Sequence, residues 1–379
     1  MSPKALARRL QRGDPTTVLD VRNRDEFEEW HVDGRSVTAE QIPAVRFTQA
    51  EALDTVDELA EQFADAPEPV VVVCGEGNAS DHVADMLSDA GVAAENLETG
   101  MEGWADVYLS TEIPHADATV LQYDRPSSGC LASMVVSGDE AVVVDPLRAF
   151  TDRYVEDAAD YGADIVAAID THVHADHVSG VRTVADLEGA SVVLPEGATR
   201  RGLAYDAELV ENGDTVSVGD TELVAVASPG HTSEMTAYRL GDLLFVGDSF
   251  FLESVARPDL EEGDAGAPDA ARRLHETLVE RYADFDGDTR VAPAHYSAQA
   301  TPGDSGAYVA TLDTLRQRLD ALSMDTDEFV EFILEDMPPR PANFERIIDT
   351  NLGQQPLDDD EAFEMELGPN NCAATVPEA

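Results

Sequence analysis

Lysine is almost missing from this chain of 379 residues: Lys4 stands alone, and the remaining basic residues are arginines. Together they number 24 against 77 Asp and Glu, a formal net charge of −53. Such a surface repels phosphate backbones and anionic headgroups, which excludes nucleic acid and membrane surfaces as partners. Cysteine is scarce too: Cys74, Cys130 and Cys372 are too few and too scattered for a disulfide framework. The chain opens on no secretory pattern and holds no apolar run of membrane-spanning length. A reducing, cytoplasmic setting is the expectation that follows.

The acidic residues are spread along the whole length, so the charge belongs to the surface and not to a tail. At low salt it opposes the compact state by self-repulsion, and at molar salt the screening length contracts to about 3 Å. With 43% hydrophobic residues and recurring strand patterns, this is no acidic disordered polymer. Lysine depletion with acidic excess resembles the proteins of salt-in halophiles. The length accommodates two domains and a tail: an α/β domain at 1–112, a linker at 113–120, a second domain at 121–300, and a helical extension with tail at 301–379.

The densest chemistry lies in His172-Val173-His174-Ala175-Asp176-His177, directly after the apolar strand at 165–169. A strand delivering three imidazoles and a carboxylate onto one loop arranges them about a point, as a transition-metal site requires. His231 follows a strand at 223–226, Asp248 ends the apolar run at 243–247, and His295 follows the strand at 291–294. Each candidate stands where a rigid strand hands over to a loop. In this order the residues resemble the metallo-β-lactamase superfamily over roughly 118–300, and the resemblance implies an αββα sandwich. The hairpin at 131–136 and 141–146 fits it.

The first domain alternates strand and helix patterns around the run Val70-Val71-Val72-Val73, which suggests a parallel α/β sheet. Cys74 follows at once, and Gly75-Glu76-Gly77-Asn78-Ala79-Ser80 leads into a helix. A thiol there meets backbone N–H donors and the positive end of a helix dipole, which lowers its pKa and suits a persulfide anion. Asp20-Val21-Arg22, Phe27-Glu28, His31-Val32-Asp33-Gly34 and Gly100-Met101-Glu102-Gly103-Trp104 complete a resemblance to the rhodanese family. Ala79 stands where that family commonly has arginine, and Glu76 adds negative charge, so dianionic thiosulfate is attracted weakly.

The superfamily resemblance implies competing chemistries. A binuclear zinc thioester hydrolase of the hydroxyacylglutathione kind would use His172, His174 and His231 on one metal and Asp176, His177 and His295 on the other, bridged by Asp248. A mononuclear iron(II) persulfide dioxygenase would use His172, His231 and Asp248. The fused rhodanese-like domain favours the second, as do Val255-Ala256-Arg257-Pro258-Asp259 and the stretch at 338–344, which resemble elements of rhodanese-associated dioxygenases. Its substrate is then a low-molecular-weight thiol persulfide; the alternative's is a thioester. A third reading is a non-enzymatic sulfur carrier. Cys74, Asp176 and Arg257 are the candidate catalytic side chains, with Arg257 poised between orienting substrate and simple ion pairing. Helices are expected at 50–64 and 307–322, His115 is expected in solvent, and Cys372 is expected as an idle thiol on a loosely held tail. The oligomeric state, a homodimer among the options, is not written in the sequence.

The charge generates a direct prediction: the thermal midpoint followed by circular dichroism is higher in about 2 M than in about 0.1 M KCl. Equal midpoints contradict a surface adapted to high salt.

Overall fold

Four consecutive valines, Val70–Val73, form a strand buried on both faces. Val70 and Val72 pack with Leu19, Phe47, Val83 and Leu87 on one side, and Val71 and Val73 pack with Leu6, Val18 and Trp104 on the other. That alternation is the two-residue period of a strand. A strand with no polar face belongs at the centre of a parallel sheet with helices on both sides. In the computed structural model, which describes residues 1–335, 337–368 and 371–374, the spatial order is Val37–Gln41, Thr16–Asp20, Val70–Val73, Ala94–Asn96, all parallel. Ala44–Leu53 and Asn78–Asp89 supply Phe47, Val83 and Leu87 to one face; Pro3–Gln11 and Gly100–Ala105 supply Leu6 and Trp104 to the other. The single helix expected at 50–64 is two, Ala44–Leu53 and Val56–Ala60, because Asp54 ends the first in the left-handed conformation at φ 57°.

The chain divides into two units, this one built on Met1–Leu109 and a second on Ser110–Asp124 and Gly129–Glu366. The second is organised by a strand of the same kind. In Leu243–Gly247, Leu243 and Phe245 face a core shared with Val142, Val144, Ile169 and Val193, while Leu244 and Val246 face a core shared with Ala271 and Leu274. The first core lies between two sheets. Among the described residues one has seven strands, with Ser191–Pro195, Asp164–Ile169, Glu140–Val144 and Cys130–Ser137 as consecutive neighbours; the other has six, with Thr221–Ala227, Thr236–Leu240, Leu243–Gly247 and Arg290–Pro293 as consecutive neighbours. Helices Thr151–Asp160 and Val181–Glu188 contact the first sheet. Gly263–His275 and Thr326–Glu335 pack together outside the second, through Leu274, Phe329 and Ile333. The result is the αββα sandwich expected from the sequence.

The extension differs from expectation. The helix expected at 307–322 is confined to Leu312–Arg318, because Ala310–Thr311 pairs with Arg290 and Val291, and the Thr311 side chain caps the helix by accepting from the Thr314 N–H. Phe344–Asn351 and Asp359–Met365 cover the loop after Asp164–Ile169: Val178 packs on Ile347, Ala362 and Met365, and Val173 packs beside Leu352. His115 is not in solvent. Its side chain is 2% exposed, with Nε2 3.2 Å from the Leu240 carbonyl oxygen. Among the described residues no helix is long and apolar enough to cross a membrane.

Candidate metal centre

Every candidate ligand lies just past the end of a strand, and the two packed sheets bring those ends together. His172, His231 and Asp248 each place one ligand atom within 4.8 Å of the others, all buried. Asp248 Oδ2 is 3.8 Å from His172 Nε2 and 3.6 Å from His231 Nε2. These three atoms are buried without a hydrogen-bond partner, an arrangement a folded chain tolerates where something else satisfies them. Gly247 makes the turn that presents Asp248. It sits at φ 53°, and a Cβ there would stand 2.5 Å from Thr171 Oγ1.

The outer bonds fix which ring nitrogen is bare. His231 Nδ1 lies 2.8 Å from the Arg257 carbonyl, which only accepts, so Nδ1 carries the proton and Nε2 offers a lone pair. Thr171 Oγ1 gives its proton to Asp145 Oδ2 at 3.0 Å and so accepts from His172 Nδ1 at 2.9 Å, again leaving Nε2 bare. Burial, reinforced by the neighbouring His174 and His231, holds His172 well below the usual imidazole range; burial also lowers His231. Both are thus neutral imidazoles, the form a metal takes. Asp248, although burial pushes it up, is held below the usual carboxylate range by His295. The donor set fits a divalent cation.

His174 is turned elsewhere. Its Nε2 meets Asp145 Oδ1 at 3.1 Å and Asp170 Oδ1 at 3.7 Å, and these carboxylates overcome burial to raise it to about 9. Its Nδ1 is buried without a hydrogen-bond partner. Asp176, His177 and His295 gather in a second cluster with Cys130. His295 lies between two carboxylates: Nδ1 bonds Asp248 Oδ1, and Nε2 is 2.5 Å from Asp176 Oδ2, out of hydrogen-bond alignment.

Arg257 proves to be a strap. Nε and Nη2 bind Asp259 at 2.7 and 3.0 Å, while Nη1 donates to the carbonyls of Pro339 and Asn371 at 2.8 and 3.0 Å. Its guanidinium is thus committed to holding the chain that positions His231, and the ion-pairing alternative is the one its geometry favours. Cys372 is no loose tail thiol. Arg257 N–H donates to its carbonyl at 3.0 Å, Ala374 N–H donates to Val255 at 2.9 Å, and the buried sulfur falls within 4.8 Å of ligand atoms of Asp248 and His295.

Several supporting groups escaped the sequence reading. Asp145 accepts from Thr171 N–H, Thr171 Oγ1 and His174. Glu234 Oε1 accepts from Val173 N–H and Arg201. From the extension, Asn351 donates to the carbonyls of His174 and His177 and accepts from Ser179 N–H, while Glu366 accepts from Val178 N–H. Asp145 stood at a strand end before Pro146, a signal open to reading; Asn351 and Glu366 carry no local signal.

In the first unit, Cys74 ends Val70–Val73, and its sulfur receives Gly77 N–H at 3.2 Å and Ser80 N–H at 3.4 Å at the start of Asn78–Asp89. Ser80 Oγ lies 3.2 Å from the sulfur and 2.7 Å from Asn96 Oδ1. A hydroxyl has one proton, and a charged sulfur is the stronger claimant. Burial pushes the Cys74 thiol up, but these donors outweigh it and leave it below the ordinary thiol value.

Residues 2–106 match the Rhodanese-like domain family, and residues 126–317, half of the chain, match the metallo-beta-lactamase superfamily. The chain belongs to the metallo-beta-lactamase superfamily. To this superfamily domain it joins an N-terminal rhodanese-like domain. It is 27% identical over 218 residues to the mitochondrial persulfide dioxygenase ETHE1 of Homo sapiens, covering 56% of this chain and 78% of that one. It is 30% identical over 204 residues to the hydroxyacylglutathione hydrolase of Parasynechococcus marenigrum, covering 49% and 74%. The crystal structure of ETHE1 from Myxococcus xanthus superposes with a TM-score of 0.54 at 24% identity, over 62% of this chain and 98% of that one, a likeness of fold. Superfamily fold and buried His/Asp groups together make this a metalloenzyme scaffold.

The sulfur cradle is open to test. Alkylation of Cys74 by iodoacetamide, followed by peptide mass mapping against pH, has its midpoint below that of an ordinary thiol. Ser80→Ala removes a donor to the thiolate, so the midpoint moves up and the rate at neutral pH falls. An unchanged profile contradicts the cradle.

Proposed function

We propose that the chain is a persulfide dioxygenase-like enzyme that oxidises a low-molecular-weight persulfide with O2 at a single iron(II) held by His172, His231 and Asp248. The observation that carries this reading is the convergence of three buried ligand atoms without hydrogen-bond partners, two imidazole nitrogens and one carboxylate oxygen. Two histidines and one carboxylate form the face that non-haem iron(II) oxygenases use. The persulfide dioxygenase relative and the fused rhodanese-like domain support it from outside the site.

The balanced reaction is R–S–SH + O2 + H2O giving R–SH, sulfite and two protons. Iron(II) at that face supplies the activation of O2. Thr171 and the Arg257 carbonyl hold the two imidazoles in the tautomers that bind it. Phe250, Phe251, Leu131 and Ala175 belong to one buried apolar cluster of this unit, and the Phe251 ring stands 6.2 Å from that of His295. In the first domain, a Cys74 persulfide attacked by sulfite at its outer sulfur would release thiosulfate and return the Cys74 thiolate, so that one domain consumes the other's product.

The second reading, a zinc thioester hydrolase, draws on the cluster of Asp176, His177 and His295 and on the hydroxyacylglutathione hydrolase relative. Oxygen uptake separates the two. Iron-loaded protein in molar KCl is expected to consume O2 on addition of glutathione persulfide and to form sulfite in equal amount. His172→Ala lowers the rate by on the order of 100-fold or more, since losing a ligand exceeds the effect of losing its outer partner. Hydrolysis of an acylglutathione by zinc-loaded protein, with no O2 uptake by the iron form, overturns the dioxygenase.

A further inference from the structure

His231 and Asp248 stand on separate loops, and one buried tyrosine reaches both. Tyr282 is 0% exposed and follows the helical run Gly263–His275 and Glu276–Arg281. Its hydroxyl is 2.9 Å from Ser228 Oγ, in the loop that leads to His231, and 3.4 Å from Ser249 Oγ, next to Asp248. Both serines are fully buried as well. Ser228 gives its own proton to the Val226 carbonyl at 2.9 Å, so the phenol donates to Ser228 and its oxygen is left to accept from Ser249. The Tyr282 ring also lies against that of Phe250, with centroids 5.5 Å apart, a second hold on the loop of Asp248.

The backbone explains how a residue of this helical run comes to face those loops. Gly263–His275 is α-helical, whereas Glu276–Arg281 winds as a π-helix, and Tyr282 N–H closes it on the Thr277 carbonyl. Residues five apart stand about 140° apart around an α-helix, but nearly one above the other where bonds run from i to i+5. Thr277 and Tyr282 are such a pair, and both meet the loop of His231: Thr277 Oγ1 donates to the Pro229 carbonyl at 2.7 Å. Gly230 lets the helix come this close, since a Cβ there would stand 2.4 Å from Leu274 Cα. Turns of this kind are rare and gather at functional sites.

We propose that Tyr282 is a positioning residue of the metal face: through Ser228 and Ser249 its hydroxyl ties the loop of His231 to the loop of Asp248 and sets the 3.6 Å between His231 Nε2 and Asp248 Oδ2. Space-filling alone would need only the ring, and a hydroxyl buried without bonds is costly. Here the hydroxyl has two partners, and each lies on a loop that carries a ligand. Ligand atoms must be held to within a few tenths of an ångström of a metal's bonding distance, so a tether between two ligand loops acts on affinity. The inference rests on the reading of His172, His231 and Asp248 as one metal face, and not on the reaction run there.

Cobalt(II) is the probe, titrated anaerobically into the full-length protein and followed by its visible ligand-field bands. The equivalent held by the face is the one lost in His172→Ala. Tyr282→Phe keeps the ring and removes only the hydroxyl; it is expected to weaken that equivalent about tenfold or more, the scale on which metal sites respond to lost outer partners, and to shift its bands. Ser228→Ala gives the same loss, and the double variant loses no more than either single, because both cut one link. Tyr123→Phe removes the hydroxyl of another tyrosine at 0% exposure, bonded to Asp157 in the same unit, and leaves the cobalt spectrum unchanged. Wild-type affinity and bands in Tyr282→Phe, additive losses in the double variant, or an equal change from Tyr123→Phe overturns the inference. Shifted bands with no O2 uptake by iron-loaded protein would remove the proposed reaction and leave the role of Tyr282 standing; O2 uptake with unshifted bands would do the reverse.

Discussion

Burying a carboxylate away from any counter-charge costs several kcal/mol, and the second unit buries Asp145, Asp176 and Asp248 together, none more than 6% exposed. His174 answers Asp145, His177 and His295 answer Asp176, and His295 also bonds Asp248, while the neutral His172 and His231 turn bare nitrogens toward the other Asp248 oxygen. Strands ending at a common edge make the crowding possible, since the sheets are held by hydrocarbon and leave the loops to carry charge. The arrangement does not close on itself. Imidazole nitrogens and carboxylate oxygens remain buried without hydrogen bonds, and a bound cation would complete them. Asp145 is the keystone on the protein side, tying Thr171 and His174 into one network and setting the tautomer of His172 through Thr171.

The two sulfur-competent places in this chain are built on different principles. Cys74 sits where backbone amides point, at the start of a helix, so its environment follows from chain direction and two glycines. A Cβ on Gly100 would stand 2.2 Å from the Cys74 carbonyl oxygen, which explains a glycine in a segment that otherwise packs through Met101 and Trp104. The metal centre is assembled instead from side chains on loops far apart in sequence, and the C-terminal helices brace it through Asn351 and Glu366. Loss of the extension would therefore disturb a loop some 180 residues earlier, with no metal ligand removed.

This difference sets what the sequence discloses. His-x-His-x-Asp-His is a local pattern behind a strand, and Val70–Val73 and Leu243–Gly247 declare their burial by composition, so the two folds and the ligand-bearing loops could be read directly. Cys130 and Cys372 could not, because a cysteine acquires its meaning from what a strand pairing or a tail places beside it. Cys372 looked idle since chain ends are usually loose, but Arg257 and a bridge between Ala256 and Ala373 hold it. The helix breaks at Asp54 and before Leu312 were hidden by periodic apolar residues that continue past a left-handed residue and an edge-strand pairing. Arg257 shows the converse: its motif was legible, whereas the carbonyls that consume its donors come from 339 and 371.

Anomalous diffraction at the iron absorption edge, on crystals of iron-loaded protein, locates the ion. One iron peak is expected, within bonding distance of His172 Nε2, His231 Nε2 and Asp248 Oδ2. Iron seated instead among Cys130, Asp176 and His177, or shared equally between both clusters, would contradict it.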